Sequence, residues 1–429
     1  MSLRTLAQYS CVWEKCQLIG VALALFILTG QLQAADEWPQ FRGPHQNGHS
    51  DATGLPLTWS ETNHIKWKTL LHGRAWSSPV VWDDQIWLTT APEDGHELFA
   101  VGVDRNAGTI LREVKVFEVN NQQKMNGLNS FATPTPVIEA GRLYVHFGTY
   151  GTACLATDTG RILWTRRDLN LQHQEGPGSS PVLFGNLLIF NCDGTNVQYV
   201  VALDKLSGQT AWKMDRSRDF SRVIPHKRKG FSTPLVLRVD SRLQLISVGA
   251  QAVYGYEPDS GAEVWQLGFD GFTVASRPVA GLGMVFITTG YDTPSLMAVR
   301  PGGRGDVTES NLVWRYAKQV PIRSSPILVD DLIYMVSDGG VASCVEALTG
   351  MPVWTHRLGE NEQFSASPIY ADGRLYFFGQ KGRATVLKPG RDYEEVAVNS
   401  LEAGFMASPA VAGHALFLRT QKALYRIEE

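Results

Sequence analysis

The chain has 429 residues, 44% hydrophobic and 19% charged, with a formal net charge of −3 at pH 7. This is globular composition with length for a large core, and the near-balanced charge, with no basic stripe, excludes the electrostatic footprint of a nucleic-acid binder. The 41 glycines and 12 tryptophans point to many tight turns and large aromatics, as short strands packed face to face require.

Residues 1–35 read as a targeting segment. Arg4 and Lys15 form a positive start, and Leu18 to Leu28 is an apolar run too short to span a bilayer comfortably. Leu32-Gln33-Ala34 before Ala35 offers small-residue cleavage. The expected location of the remainder is periplasmic or secreted. An uncleaved signal anchor is the alternative, and the only expected tie to a membrane. No cysteine stands at the cleavage site, so a lipid anchor is not expected. Residues 36–63, with Trp38-Pro39-Gln40-Phe41-Arg42-Gly43-Pro44, lack a period and read as an extended segment across the fold.

From residue 64 to 429 one unit recurs. A small or polar residue precedes proline and an apolar strand at Ser78-Pro79, Thr135-Pro136, Ser180-Pro181, Thr233-Pro234, Arg277-Pro278, Ser325-Pro326, Ser367-Pro368 and Ser408-Pro409. The prolines lie 57, 45, 53, 44, 48, 42 and 41 residues apart, a spacing suited to a four-stranded blade. The third copy is typical. Strands are expected at 180–184, 187–190, 199–203 and 210–214, joined by turns at Gly185-Asn186, Asp193-Gly194 and Lys205–Gly208.

The turn before the fourth strand carries Gly-x-x-x-Trp at Gly160/Trp164, Gly208/Trp212, Gly261/Trp265 and Gly350/Trp354. Glycine supplies the positive φ of the turn, and the tryptophan is placed to pack between blades. The fifth copy carries Trp314 after a longer loop. The first and seventh have Arg112 and Val396 in that region. The eighth copy runs out after strands near 415–419 and 423–427. The segment His64 to Leu70, with Trp67, supplies the missing strand. The expected fold is therefore all-β, an eight-bladed β-propeller of four-stranded antiparallel blades, closed by an N-terminal strand that completes the last blade. Seven blades is the alternative. Closure leaves fewer edges open to pairing. Cys154, Cys192 and Cys344 are widely spaced and odd in number, so no disulfide framework is expected.

The anchors and the stretch Ala202-x-Asp204-x-x-x-Gly208-x-x-x-Trp212 resemble the pyrroloquinoline-quinone-like propeller repeat. Whole stretches resemble a subfamily of secreted bacterial propellers of unassigned activity: Trp38 to Pro44, Phe147 to Thr152, His173 to Gly178 and Ser337 to Cys344. The repeat implies the fold and says little of function. It occurs in quinoprotein alcohol dehydrogenases and in a lipoprotein that assists outer-membrane barrel assembly. The quinoproteins imply an adjacent-cysteine disulfide beneath the cofactor and a calcium set. This sequence has no adjacent cysteines and no set that maps, so pyrroloquinoline quinone is not supported and the cofactor is unassigned.

Loops entering the first strand and loops between strands two and three share one face of a propeller, where ligands bind. They hold the candidate ligand-binding residues Trp76, Asn129, His173, Glu175, Arg277, Asp292, Arg323 and Asp338, with Asp193 and Arg419 nearby. Arg277 and Arg323 suit an anionic ligand; pairing with Asp292 and Asp338 is the plainer expectation. His173 and Glu175 suit acid–base or metal chemistry, but no further ligand spacing accompanies them. The run His226-Lys227-Arg228-Lys229 reads as a solvated loop or a surface for an anionic partner. No nucleophile, phosphate-loop or dinucleotide motif occurs. The leading reading is a non-catalytic binding or scaffold propeller outside the cytoplasm. Its partner is an unknown protein, peptide or small anionic ligand. A quinone-dependent or metal-assisted enzyme with its site at the channel mouth, and a cell-envelope assembly factor, are the alternatives.

Overall fold

Apolar strands of three to nine residues separated by tight turns bury both faces only by stacking sheet upon sheet. The computed structural model, which describes residues 36–429, shows how this is done. The targeting-segment reading of residues 1–35 lies outside the described residues. Eight antiparallel meanders form the blades, each with four strands. In blade 3 they are Val182–Phe184, Leu187–Asp193, Gln198–Asp204 and Thr210–Asp215. Blade 8 has three strands from the chain's end, Ala410–Ala412, Ala415–Arg419 and Ala423–Ile427. Its outer strand is Ile65–Leu70, antiparallel to Ala423–Ile427, so the expected closure is present. Among the described residues no helix is long and apolar enough to cross a membrane.

At the inner edge, neighbouring blades are joined by the anchors. The Ser78 amide donates to Thr135 Oγ1, Thr135 to Ser180 Oγ, and Ser180 to Thr233 Oγ1. Arg277 then donates to Ser325 Oγ, Ser325 to Ser367 Oγ, and Ser367 to Ser408 Oγ. At six of the eight anchors the hydroxyl before the proline is thus the acceptor for the blade before it. Two junctions lack this bond, and each has a buried arginine instead. Arg277 Nη2 donates to Pro234 O across blades 4 and 5. Arg419 Nη1 donates to Ser77 O and Oγ across blades 8 and 1.

At the outer edge the turn tryptophans do the same work. Trp67, Trp164, Trp212 and Trp314 lie against the turn glycines of the next blade, Gly108, Gly208, Gly261 and Gly350. Each indole N–H reaches the carbonyl three residues before that glycine: Arg105, Lys205, Pro258 and Ala347. These glycines have positive φ and no room for a side chain under the ring. Trp265 departs from the expected pattern. It folds over Gly255 of its own blade and bonds Gln244 Oε1. The longer blade 5 loop lays Gly305–Asp306 parallel to the outer edge of blade 4, shielding it.

Residues 36–63 form a strap that crosses the channel against the anchors. Trp38 bridges Val81 of blade 1, and Pro39 O accepts from Ile138 of blade 2. His49–Ser50 adds a parallel strand to blade 7. Arg42, between these points, is buried and donates to Pro326 O, Pro368 O and Asn47 O. It has φ 71°, a conformation side chains seldom adopt. Gly43 packs on Trp38 and Gly48 on the Arg42 guanidinium, both at positive φ.

Two substitutions test the two seams. Trp212→Ala, removing a ring only 9% exposed, should lower stability by about 3 kcal/mol in chemical unfolding. Ser180→Ala leaves the buried Thr135 amide without an acceptor and should cost about 1–2 kcal/mol, whereas Ser180→Thr should stay near the parent.

Candidate functional site

Each blade enters its inner strand by an extended segment, so alternate residues face alternate ways. The residue before the anchor proline supplies the ring hydroxyl. The residue three before the proline faces the axis. All eight such residues line one cavity of about 630 Å³: Trp76, Thr133, Gly178, Phe231, Ala275, Arg323, Ser365 and Met406. Leu128, Phe272 and Tyr291 extend its apolar wall. The floor is Phe41 from the strap together with the hydroxyl residues Ser78, Thr135, Ser180, Thr233, Ser367 and Ser408. The strap thus makes an open channel into a blind cavity.

Of the expected site residues, Trp76, Asn129, Glu175, Arg323 and Asp338 line this cavity together. Trp76 donates its indole N–H to Leu128 O. Asn129 binds the carbonyls of Glu175 and Pro177, fixing that loop. The Glu175 carboxylate meets Lys229 at 2.9 Å and Asn126 at 2.8 Å. Burial alone would raise its pKa, but these bonds outweigh burial and hold it below the ordinary carboxylate value. Arg323 Nε meets Asp338 at 2.7 Å, the pairing expected of it.

His173, Arg277 and Asp292 stand apart from the cavity wall. His173 is fully buried behind its loop, beside Tyr150. Its Nε2 accepts the Thr149 amide at 3.1 Å, and its Nδ1 has no partner. A side chain on Gly148, which has φ 60°, would collide with the ring. Arg277 is fully buried below the floor and does not meet Asp292; it donates to Phe41 O, Gln46 Oε1 and Pro234 O. Asp292 is exposed on the rim and pairs with Lys227 at 2.9 Å.

Sequence reasoning missed several wall residues, among them Lys229, Phe231, Phe272, Tyr291 and Met406. For Phe231 and Met406 the signal was their place three before the anchor proline. Lys229 ends a run read as a solvated loop, yet it is 3% exposed and tied to Glu175. Asp193, read as a turn residue, closes a strand and makes a buried bidentate pair with Arg216.

Burial pushes His146 and His173 down to about 3. Both are neutral in the folded chain and would take up protons near pH 6.5 once unfolded. Their stabilising contribution is complete above that pH and is lost as pH falls toward 3. Stability measured by urea unfolding should decline steadily below about pH 6. His173→Gln should make that decline shallower; an unchanged slope would contradict the assignment.

Residues 196–429 match the family described as outer membrane protein assembly factor BamB. Among solved structures, BamB from Moraxella catarrhalis is similar with a TM-score of 0.60 at 12% identity, covering 84% of this chain and 99% of that one. Quinohemoprotein alcohol dehydrogenase from Comamonas testosteroni gives 0.63 at 10% identity, covering 93% and 81%. The computationally designed Ika8 protein gives 0.60 at 12% identity, covering 84% and 99%. At such identities the likeness is of fold alone. No curated protein matches the chain in sequence.

The quinoprotein resemblance implies a disulfide platform and a calcium set. Cys154, Cys192 and Cys344 are buried and free, in blades 2, 3 and 6, and none lines the cavity. Burial pushes Cys192 and Cys344 up to about 12. Among the described residues no three His, Cys, Asp or Glu side chains gather as metal ligands. These residues do not fit the quinone site that the resemblance implies.

Proposed function

Because this chain belongs to the outer membrane protein assembly factor BamB family, matched over more than half its length, we propose that it is a non-catalytic binding propeller. It acts outside the cytoplasm and takes a protein or peptide partner at the eight-blade cavity. The cavity carries this reading. It is concave and blind, and it is walled by Trp76, Leu128, Phe231, Phe272, Tyr291 and Met406. Its charged wall groups Lys229 and Glu175, and Arg323 and Asp338, are paired with one another. Pockets that hold ligands are typically apolar with a few placed polar groups. Leu128 and Tyr291 are 51% and 56% exposed, which suits a surface that a partner covers. The leader-like residues 1–35 and the family's outer-membrane description support an extracytoplasmic location.

A photo-crosslinking residue placed at Leu128, on the cavity rim, should capture a partner in envelope extracts. The same residue at Leu282, an exposed turn position on the opposite face, should not. Equal capture at both positions, or none at Leu128, would overturn the reading. Addition of pyrroloquinoline quinone and calcium should give no dye reduction; turnover would overturn the non-catalytic assignment.

A further inference from the structure

Three buried guanidinium groups without a carboxylate partner adjoin floor residues: Arg42 follows Phe41, Arg277 donates to Phe41 O, and Arg419 donates to Ser77, the neighbour of Ser78. Arg42, Arg277 and Arg419 are 2%, 0% and 3% exposed. Their recorded acceptors are main-chain carbonyls, the Gln46 amide and the Ser77 hydroxyl. Burial pushes all three down to about 9, which leaves them charged at neutral pH. A buried cation met only by dipoles is costly compared with one met by an anion. The carboxylates lining the cavity do not supply that anion, since Glu175 is tied to Lys229 and Asp338 to Arg323.

The floor itself is built of donors. Thr135, Ser180, Thr233, Ser367 and Ser408 each accept an amide from the preceding blade. An accepted amide occupies a lone pair and leaves the O–H proton free. Neither these hydroxyls nor that of Ser78 donates to a protein acceptor among the described residues. The Nε atoms of Arg42 and Arg277 and Nη1 of Arg323 are buried and unpartnered as well.

Resting on the binding-cavity reading above, we infer that the floor is a site for an oxyanion, the compact head of a ligand whose apolar body lies against Trp76, Phe231, Phe272 and Met406. The hydroxyls donate to the oxyanion, Arg323 flanks it, and the buried arginines provide the compensating field. In a water-poor, apolar-walled cavity that field acts at greater strength than on an open surface. A chain-terminal carboxylate and a free inorganic anion share this head chemistry, but only the former brings the apolar body.

Isothermal titration with N-acetylphenylalanine, its amide and inorganic phosphate separates these sources. The acid should bind about tenfold or more tighter than the amide, and its affinity should fall as salt is raised. Phosphate should bind more weakly than the acid. Ser78→Ala, at the one floor hydroxyl that accepts no relay amide, should weaken the acid several-fold without moving the Tm. Arg42→Met should weaken it further, provided the variant keeps the parent's circular dichroism spectrum. Equal binding of acid and amide, or no binding of the acid, overturns the oxyanion site. Retained crosslinking at Leu128 would then leave the binding-propeller reading standing. Phosphate binding more tightly than the acid overturns the apolar-body assignment.

Discussion

A ring of separate sheets is held at its seams, and here the inner seam is one hydrogen bond repeated: a backbone amide of one blade to the hydroxyl before the proline of the next. The bond is modest by itself, about 1 kcal/mol net. Its importance is geometric. Proline fixes φ and offers no N–H, so the strand entry keeps one direction, and the hydroxyl before it is held at the axis. The tryptophan seam at the rim adds area and a second directed bond. Together the seams fix the spacing of neighbouring blades at two radii, which sets both the number of blades and the width of the channel.

The two missing relay bonds are informative. Arg277 and Arg419 span those junctions with longer side chains and bring charge that a serine would not. Arg42 brings a third charge from the strap. Mechanical joining and an electrostatic bias at the axis are therefore produced by the same residues. The strap is more than a packed tail. It crosses blades 1, 2, 6 and 7 before supplying the outer strand of blade 8, so closing the ring and sealing the channel are one chain path.

The fold was legible because its determinants are local. Proline after a hydroxyl residue, paired turn residues and Gly-x-x-x-Trp each act within a few positions, and repetition made them plain. Trp265 shows the limit: its setting depends on the length of a loop in the next blade. The site was half legible. Of the residues singled out by loop position, Trp76, Asn129, Glu175, Arg323 and Asp338 line one space. It could not tell that His173 turns inward, because that depends on Gly148 leaving room for the ring and Thr149 presenting an amide. Nor could it give Asp193 its partner Arg216, which lies one full hairpin away. Arg42 carried no signal beyond its motif, since its acceptors belong to blades 6 and 7.

The register of the strand entries separates two demands on this sequence. The position before the proline answers to the ring and is held to serine or threonine except where arginine spans a seam. The position three before it answers only to the cavity and is Trp, Thr, Gly, Phe, Ala, Arg, Ser and Met in turn. Two residues apart on an extended chain, the two sets face the same cavity at different depths, hydroxyls on the floor and variable side chains on the wall, so the wall can change without loosening the ring. This accounts physically for why similar folds at 10–12% identity include an assembly factor, a dehydrogenase and a designed protein. In this chain the character of the cavity is set by those eight wall residues and by the strap that closes the channel, which carries an arginine without a carboxylate partner.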